Sequence, residues 1–193
     1  MRCPGGRGVR AQRAGRPMKK PESLRAHLLA AIPELKRNPD RLLVFVDAGS
    51  MRSTAAPGLS FEYSYTLNLI LTDFSGSPDA VAIPLFAWVL INQRELMENL
   101  EKGKDAIKFE VDILSNKAVD LSITLPLTER VIVKRQDDGT LHISHPAEPQ
   151  LDEYLPAGPW QLIADGQVLA EWESTQGQGI GDIASPHPAP RHG

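Results

Sequence analysis

The chemistry that this chain could perform begins with four acidic residues on the polar sides of predicted strands: Glu62, Glu110, Asp112 and Asp120. If those strands are neighbours, two of the acids could meet and act as a general acid and a general base, which requires a cleft and contrasting environments. The surrounding alternation instead places them on solvated faces, where cross-strand pairing with Lys108, Lys117 or Arg130 is the ordinary role. We therefore predict no catalytic residue.

Metal binding is the second candidate chemistry, because His142 and His145 form an H-x-x-H pair. The pair lies on a predicted strand, where residues three apart point to opposite faces, so the two rings do not converge. The single cysteine, Cys3, is distant in sequence and completes no zinc set. Glycine-rich phosphate-binding motifs between a strand and a helix are absent. We predict no metal, no cofactor and no enzymatic activity.

The strongest structural pattern is the alternation over residues 59–72, which predicts a long strand. One side of this strand is apolar and the other is polar, since the order alternates Phe61, Tyr63, Tyr65, Leu67, Leu69 and Leu71 with Glu62, Ser64, Thr66 and Asn68. Tyrosines with polar tips on the apolar side suit packing against a helix or a partner subunit. The strand therefore predicts a sheet with one dry and one wet face.

Two helices are predicted to cover the dry face. Residues 21–37 carry apolar side chains at helical spacing, with a kink or restart at Pro33. His27 lies off that apolar stripe, so we expect it at the surface. Residues 79–101 predict a second helix, which is apolar around much of its circumference at its start and half-solvated later.

Shorter strands complete the predicted sheet at residues 41–47, 107–113, 119–125, 129–135 and 140–144. Hairpin turns are predicted between two pairs of these strands and again near the C-terminus, at Ser115-Asn116-Lys117, Asp137-Asp138-Gly139 and Asp165-Gly166. The fold class is therefore α+β. We expect a two-layer domain with a largely antiparallel or mixed sheet and two helices on one face.

The chain divides into one folded domain and several extensions. Residues 1–17 hold five arginines and no acid, and we interpret them as a disordered basic extension that is non-native or derives from upstream read-through. The alternative is an arginine-rich arm that contacts nucleic acid. Residues 18–145 form the domain and residues 146–159 a linker rich in proline and acid. Residues 160–173 form a terminal hairpin, docked or mobile, and residues 174–193 a disordered tail.

Charge and hydropathy exclude two classes of partner. Removing the five arginine charges of the first 17 residues from the formal net charge of −3 leaves the rest of the chain at −8. An acidic body argues against sequence-independent binding of nucleic acid, because phosphate contacts need a basic surface. The longest apolar run, residues 80–91, is too short to span a bilayer, so we expect no membrane partner.

Five stretches between residue 18 and about residue 144 carry a resemblance, in the order MKKPESLR, KRNPD, LSFEYSYTLNL with TDF, FEVDIL and LTERVIV. In this region the chain resembles the tail completion protein R family of temperate bacteriophages with contractile tails. The motif SFEYSYTLNL is specific, whereas the shorter motifs support the resemblance because they occur in the same order along the chain.

The resemblance implies a structural protein that acts late in phage tail assembly. It implies a terminator-like cap on the head-proximal end of the tail, so that the tube stops growing and the head can join. It also implies α+β subunits that close into a six-fold ring, contacts with tail-tube and head-neck proteins, and a place at the head–tail junction of the virion after assembly in the host bacterial cytoplasm. A prophage or a tailocin cluster would be an equally natural source.

The candidate subunit or tail-tube interface combines aromatic residues of the long strand, a predicted loop or short ribbon at residues 48–58 and a strand arginine: Phe61, Tyr63, Tyr65, Met51, Arg52 and Arg130. Small and polar loop residues suit a segment that orders on docking. The acidic body fits a ring lumen through which DNA passes without sticking, although the same charge also serves solubility. The alternatives are a head–tail neck connector or baseplate subunit, a small enzyme that uses the sheet-face acids, and a binding module with a peptide-accepting sheet edge.

Overall fold

The computed structural model describes residues 18–53, 58–115, 118–149 and 157–174, and every structural statement below concerns these residues. The helices are α1 (Lys19–Ala31), α2 (Pro33–Arg37), α3 (Asp79–Asn92), α4 (Glu95–Glu98) and α5 (Leu100–Gly103). The strands are β1 (Leu42–Ser53), β2 (Phe61–Phe74), β3 (Lys108–Ser115), β4 (Ala118–Arg135), β5 (Leu141–Ser144), β6 (Gly158–Ala164) and β7 (Gln167–Ser174). Among the described residues, no helix has the length and apolar composition needed to cross a membrane.

Several sequence-based predictions fall outside the described residues and stay predictions. They are the basic extension at residues 1–17, residues 54–57 of the predicted loop, residues 116–117 of a predicted turn, residues 150–156 of the linker and nearly all of the tail.

Five strands form one antiparallel sheet in the order β1–β2–β4–β3, with β5 paired to the C-terminal end of β4. This sheet, together with the helices, confirms the α+β class. The predicted dry side of β2 is buried from Tyr65 to Leu71, and Phe61 and Tyr63 are half-buried. Asn68 was predicted to be wet, but it is buried on the opposite face, where its strand neighbours are Phe45 and Thr124.

The core lies between the dry face of the sheet and helices α1 and α3, and its fully buried leucines are Leu24, Leu28, Leu35, Leu42, Leu67, Leu69, Leu71, Leu85, Leu125 and Leu127. Burial of one such side chain stabilises the fold by about 2 kcal/mol. The Trp88 indole N–H of α3 donates to the Ser23 hydroxyl of α1 at 3.1 Å. His27 was expected at the surface but is half-buried, and its Nε2–H donates to the Pro84 carbonyl oxygen at 3.1 Å.

The two predicted helices are each interrupted. The first breaks at Ile32, and Pro33 then opens α2 at a position that needs no backbone donor. The prediction of one helix over residues 79–101 is wrong, because α3 ends at Asn92 and only the short α4 and α5 follow. Gln93 leaves the helical conformation at φ −150° and ψ 49°, and its side chain is buried.

Two strands are longer than predicted. Residues 48–58 were predicted as a loop or a short ribbon, and residues 48–53 form a ribbon, because they continue β1 past a register shift at Asp47 and pair with β2. Residues 119–125 and 129–135 were assigned to separate strands but form the single strand β4, which runs through Pro126. The ladder between β3 and β4 stops at Thr124, so no β3 residue pairs with Pro126, and a proline is tolerated at such an edge position.

The terminal hairpin is docked. Asp165 and Gly166 both have positive φ, 49° and 75°, as a two-residue hairpin turn between β6 and β7 requires. Trp160 and Trp172 stack across the hairpin with ring centroids 6.3 Å apart. Strand β7 packs against α1, α2 and α3, where Ala170 is fully buried. The contact with β7 explains why α3 is apolar around most of its circumference.

Candidate functional site

A buried carboxylate closes the N-terminus of α1. Glu129 projects from the dry face of β4 and is 4% exposed. Its Oε2 accepts the backbone N–H of Lys19 at 2.9 Å, and its Oε1 accepts that of Lys20 at 3.0 Å. The residue preceding the helix, Met18, supplies no side-chain cap, so a distant strand satisfies two of the helix's free amides. The negative charge is also favourable at a helix N-terminus.

Tyr65 is the third donor to this carboxylate. Its hydroxyl donates to Glu129 Oε1 at 2.5 Å, and the tyrosine is 3% exposed. Burial raises the pKa of Tyr65, and the adjacent Glu129 carboxylate raises it further by hydrogen bonding and by repulsion of a phenolate. Tyr65 was proposed as an interface residue, but in the subunit it lies in the core. Any effect of Tyr65 on assembly is therefore indirect and acts through the residues that Tyr65 positions.

Gln93 joins the end of α3 to β4 and to α1. Its side-chain carbonyl accepts the backbone N–H of Thr128 at 3.0 Å and the ammonium of Lys20 at 2.8 Å. Its amide donates to the Thr128 hydroxyl at 3.0 Å and to Glu95 Oε1 at 2.8 Å. Thr128 pairs with Ser64 of β2, but the ladder with β3 ends at Thr124, so the Gln93 side chain binds a part of β4 that β3 does not reach. These contacts favour the end of α3 at Gln93 over continuation of the helix.

Charged residues surround the polar cluster of Tyr65, Gln93, Thr128 and Glu129. Lys20 pairs with Glu148 at 2.8 Å, and Arg130 lies 3.9 Å from the other oxygen of Glu148. His145 Nδ1 lies 3.7 Å from Glu129 Oε2. Two open cavities of about 270 and 310 Å³ flank this region. Both are lined by side chains of mixed charge, which is typical of a solvated crevice rather than of a closed ligand pocket.

The structure brings the predicted interface residues onto three neighbouring strands. Arg52, Glu62 and Arg130 occupy one cross-strand row, and Met51, Tyr63 and Glu129 occupy the next row, on the opposite face. The rings of Phe61 and Tyr63 meet edge to face at 4.9 Å and 81°. Met51 is 73% exposed, and Arg52 and Arg130 are exposed as well.

The four acids that were candidates for catalysis do not share one pocket. Glu62 lies opposite Arg130, and Glu110 lies opposite Ser122, eight residues away along β4. At about 3.3 Å per residue this separates the two acids by about 25 Å. Asp112 and Asp120 face each other across β3 and β4. Asp120 accepts the Asp73 amide at 2.9 Å, which is a structural role.

The described residues contain no group of three or more metal-ligating side chains. His142 is exposed and pairs in register with Lys134, while His145 lies near Glu129. The two histidines therefore lie in different surroundings.

Sequence reasoning missed Glu129, Gln93 and Lys20. A signal for the first was present: the dry positions of β4 run Leu121, Ile123, Leu125 and Leu127, and the next in the same parity is Glu129. An acid in an inward-facing series indicates a buried, partnered charge. The signal was lost because the strand was divided near Pro126.

Two comparisons find relatives of this chain. The family model described as P2 phage tail completion protein R (GpR) matches residues 18–149. Tail completion protein R of Escherichia phage P2 is 43% identical over 156 residues, which cover 81% of this chain and 99% of that protein. No solved structure matches. The family match spans the sheet β1 to β5, the helices and every residue of the polar cluster.

Proposed function

Since this chain belongs to the P2 phage tail completion protein R family, whose role is structural, we propose that it completes the phage tail by capping its head-proximal end. There it stops growth of the tube and presents the surface that the head joins. The observation that carries the proposal is similarity along nearly the whole length of the phage P2 protein. The chain accordingly associates with tail components in the virion tail, and the finer placement at the head–tail junction is part of the proposal.

The cap is a closed ring of subunits, six-fold as the resemblance implies. Ring closure needs heterologous contacts, in which one patch of a subunit meets a different patch of the next. The sheet supports this arrangement, because among the described residues β1 and β3 at its two ends each have one side without a partner strand. Unpaired strand edges are natural sites of association between chains.

The ribbon formed by β1 and β2 supplies the contact with the tube or the lumen. Residues 48–53 are all exposed on this ribbon, and they include Met51 and Arg52. Phe61 and Tyr63 lie on the β2 strand of this ribbon, where they pair with Ser53 and Met51 of β1 and contact each other through their rings. In a ring, the net charge of −8 beyond residue 17 would keep passing DNA from sticking to the lumen.

We propose that the cap performs no chemical step. The separation of Glu62 from Glu110, and the structural bond of Asp120 to the Asp73 amide, support this view. Neither arrangement provides the pair of carboxylates in a cleft that a two-carboxylate glycosidase mechanism requires.

The test is complementation of a phage that lacks its own tail completion protein R. We expect the full chain to restore joined particles, and a gold-labelled copy to mark the head-proximal end of purified tails in electron micrographs. Failure to restore joining, or label at the baseplate end, would overturn the capping role. Label on the head neck in the absence of tails would favour a connector instead.

A further inference from the structure

An apolar row on β3 lies outside the core, although it faces the same side of the sheet as the helices. Phe109, Val111 and Ile113 are 72%, 38% and 78% exposed. Their neighbours across the ladder include Ile123 and Leu121, which are buried. Strand β3 therefore extends the dry face of the sheet beyond the area that the helices cover. Exposed apolar side chains in a row on an edge strand mark an association surface.

The opposite edge of the sheet offers a complementary depression. A cavity of about 260 Å³ lies between β1 and α1, and its lining combines the apolar Met18, Pro21, Val44 and Val46 with the charged Glu22 and Arg25 of α1. The two valines are half-buried and lie on the same dry side of the sheet as the β3 row, since they pair with inward-facing residues of β2. The depression is large enough to take an aromatic or branched side chain.

Strand directions allow these two edges to join in a repeating manner. Neighbouring strands in the order β1–β2–β4–β3 are all antiparallel, so β1 and β3 run in opposite directions. When a second copy is placed beside the first with the same orientation, its β1 is antiparallel to β3 of the first copy. The alternation continues without interruption, and the dry faces of both copies stay on one side.

The lengths of the two edges also agree. The register shift at Asp47 leaves a regular β1 edge at residues 42–46, because a bulge disturbs pairing beyond it. The apolar row occupies residues 109–113, which is the same length. A pairing centred on Val111 and Val44 keeps inward-facing residues opposite inward-facing residues. The charged side chains that alternate with the apolar row then point to the wet face.

We propose that copies of this chain join by strand addition, with β3 of one copy pairing antiparallel with β1 of the next. The row of Phe109, Val111 and Ile113 then packs into the depression between β1 and α1 of the second copy. The contact is heterologous, because two different edges of one chain meet, and its repetition builds a ring. This inference rests on the proposed capping ring and assigns its subunit contact.

A disulfide test addresses the pairing directly. In the full chain with Cys3→Ser, Val111→Cys and Val44→Cys are combined, and the tails that this variant completes are oxidised. Directly opposite residues of antiparallel strands have Cα atoms about 4.5–5.5 Å apart, which is within the range that a disulfide spans, so we expect covalent species larger than a dimer on a non-reducing gel. Val111→Cys alone should stay monomeric. Dimers from that single variant would show a two-fold β3–β3 contact, and completed tails without cross-links would exclude the pairing; either result overturns the proposal.

A substitution test covers the case in which the double cysteine variant does not complete tails. Ile113→Asp should reduce the yield of joined particles by about tenfold or more, because it places a charge in a packed apolar contact. Ile143→Asp is the matched control: it is an exposed isoleucine on β5, a strand that takes no part in the proposed pairing, and should retain the wild-type yield. Circular dichroism should show that both variants fold. A wild-type yield from Ile113→Asp would overturn the interface while leaving capping intact, whereas misplaced gold label on wild-type protein would refute capping itself.

Discussion

Tyr65 of β2 donates a hydrogen bond of 2.5 Å to Glu129 of β4, and both side chains are buried. The same carboxylate accepts the first two amides of α1. One acid therefore links the two central strands to the helix that covers them. Three donors make its burial tolerable, because a buried charge without partners costs several kcal/mol.

Replacement of Glu129 should be among the most destabilising single changes in the subunit. Glu129→Ala leaves the Tyr65 hydroxyl and two helix amides without their acceptor, so we expect the free energy of unfolding to fall by about 3 kcal/mol. Urea denaturation followed by circular dichroism measures this. Glu110→Ala removes an exposed acid from the wet face and should cause no measurable change. Equal losses in the two variants would contradict the buried network.

Tyr65 should make the subunit sensitive to alkaline pH. Its pKa is raised in the folded state, so folding favours the neutral phenol. The associated stability is fully present below pH 10, the ordinary value of a tyrosine, and is lost as pH rises above it. Stability measured from pH 8 to 11 should fall less steeply in Tyr65→Phe than in the wild type. Parallel curves would show that this tyrosine titrates normally.

His27 should make the free energy of unfolding decrease as the pH is lowered, whereas Tyr65 makes it decrease as the pH is raised. Burial lowers its pKa in the folded state, although the hydrogen bond to the Pro84 carbonyl partly opposes this effect. Folding therefore favours the neutral ring, and the subunit loses stability as pH falls below about 6.5, where the unfolded chain takes up the proton. His27→Gln retains a donor and does not titrate. Its stability should change less between pH 7.5 and 5.5, and an unchanged slope would exclude His27 as the source.

Docking of the terminal hairpin should depend on Ala170. The residue is fully buried where β7 meets the helices, so Ala170→Asp should reduce the free energy of unfolding by about 3 kcal/mol or release the hairpin. Val168→Asp changes a residue of the same strand that is 44% exposed and should have little effect. Tryptophan fluorescence reports release, because Trp172 lies on β7. A similar response of the two variants would place the hairpin away from the helices.

The proposed tube contact predicts a defect in assembly without a defect in folding. Met51→Glu alters a side chain that is 73% exposed, so the melting temperature should match that of the wild type. The yield of joined particles should fall by about tenfold or more if this ribbon meets the tube. Leu141→Glu, on β5, is a control of similar chemistry that should complete tails normally. A normal yield from Met51→Glu would remove the ribbon from the interface.

Local patterns predicted the elements in which neighbours along the chain decide the structure. The alternation of β2 gave its burial from Tyr65 to Leu71, and two Asp-Gly pairs gave the turns of the hairpins β4–β5 and β6–β7. In each case the signal, a period of two or a left-handed turn residue, acts within a few residues.

The remaining features depend on partners that are distant in sequence. A proline inside a strand is unusual, yet Pro126 lies beyond the last β3 pair, where its missing N–H is harmless. Gln93 continued a helical pattern, yet contacts with Thr128 and Lys20 favour ending the helix there. The exposed row on β3 shows the same alternation of apolar and polar residues as a buried strand. This alternation indicates which side chains face the same side of the sheet, but not whether helices cover that part of the sheet.

The cap on α1 also sets an order of events during synthesis. Lys19 receives its acceptor from a residue 110 positions later in the chain. A ribosome releases the helix long before it releases Glu129, so the first turn of α1 can reach its final form only after most of the domain has emerged. Long-range closure of this kind slows folding relative to helix formation. A nascent chain stalled before β4 should therefore remain open to proteolysis at its N-terminal helix.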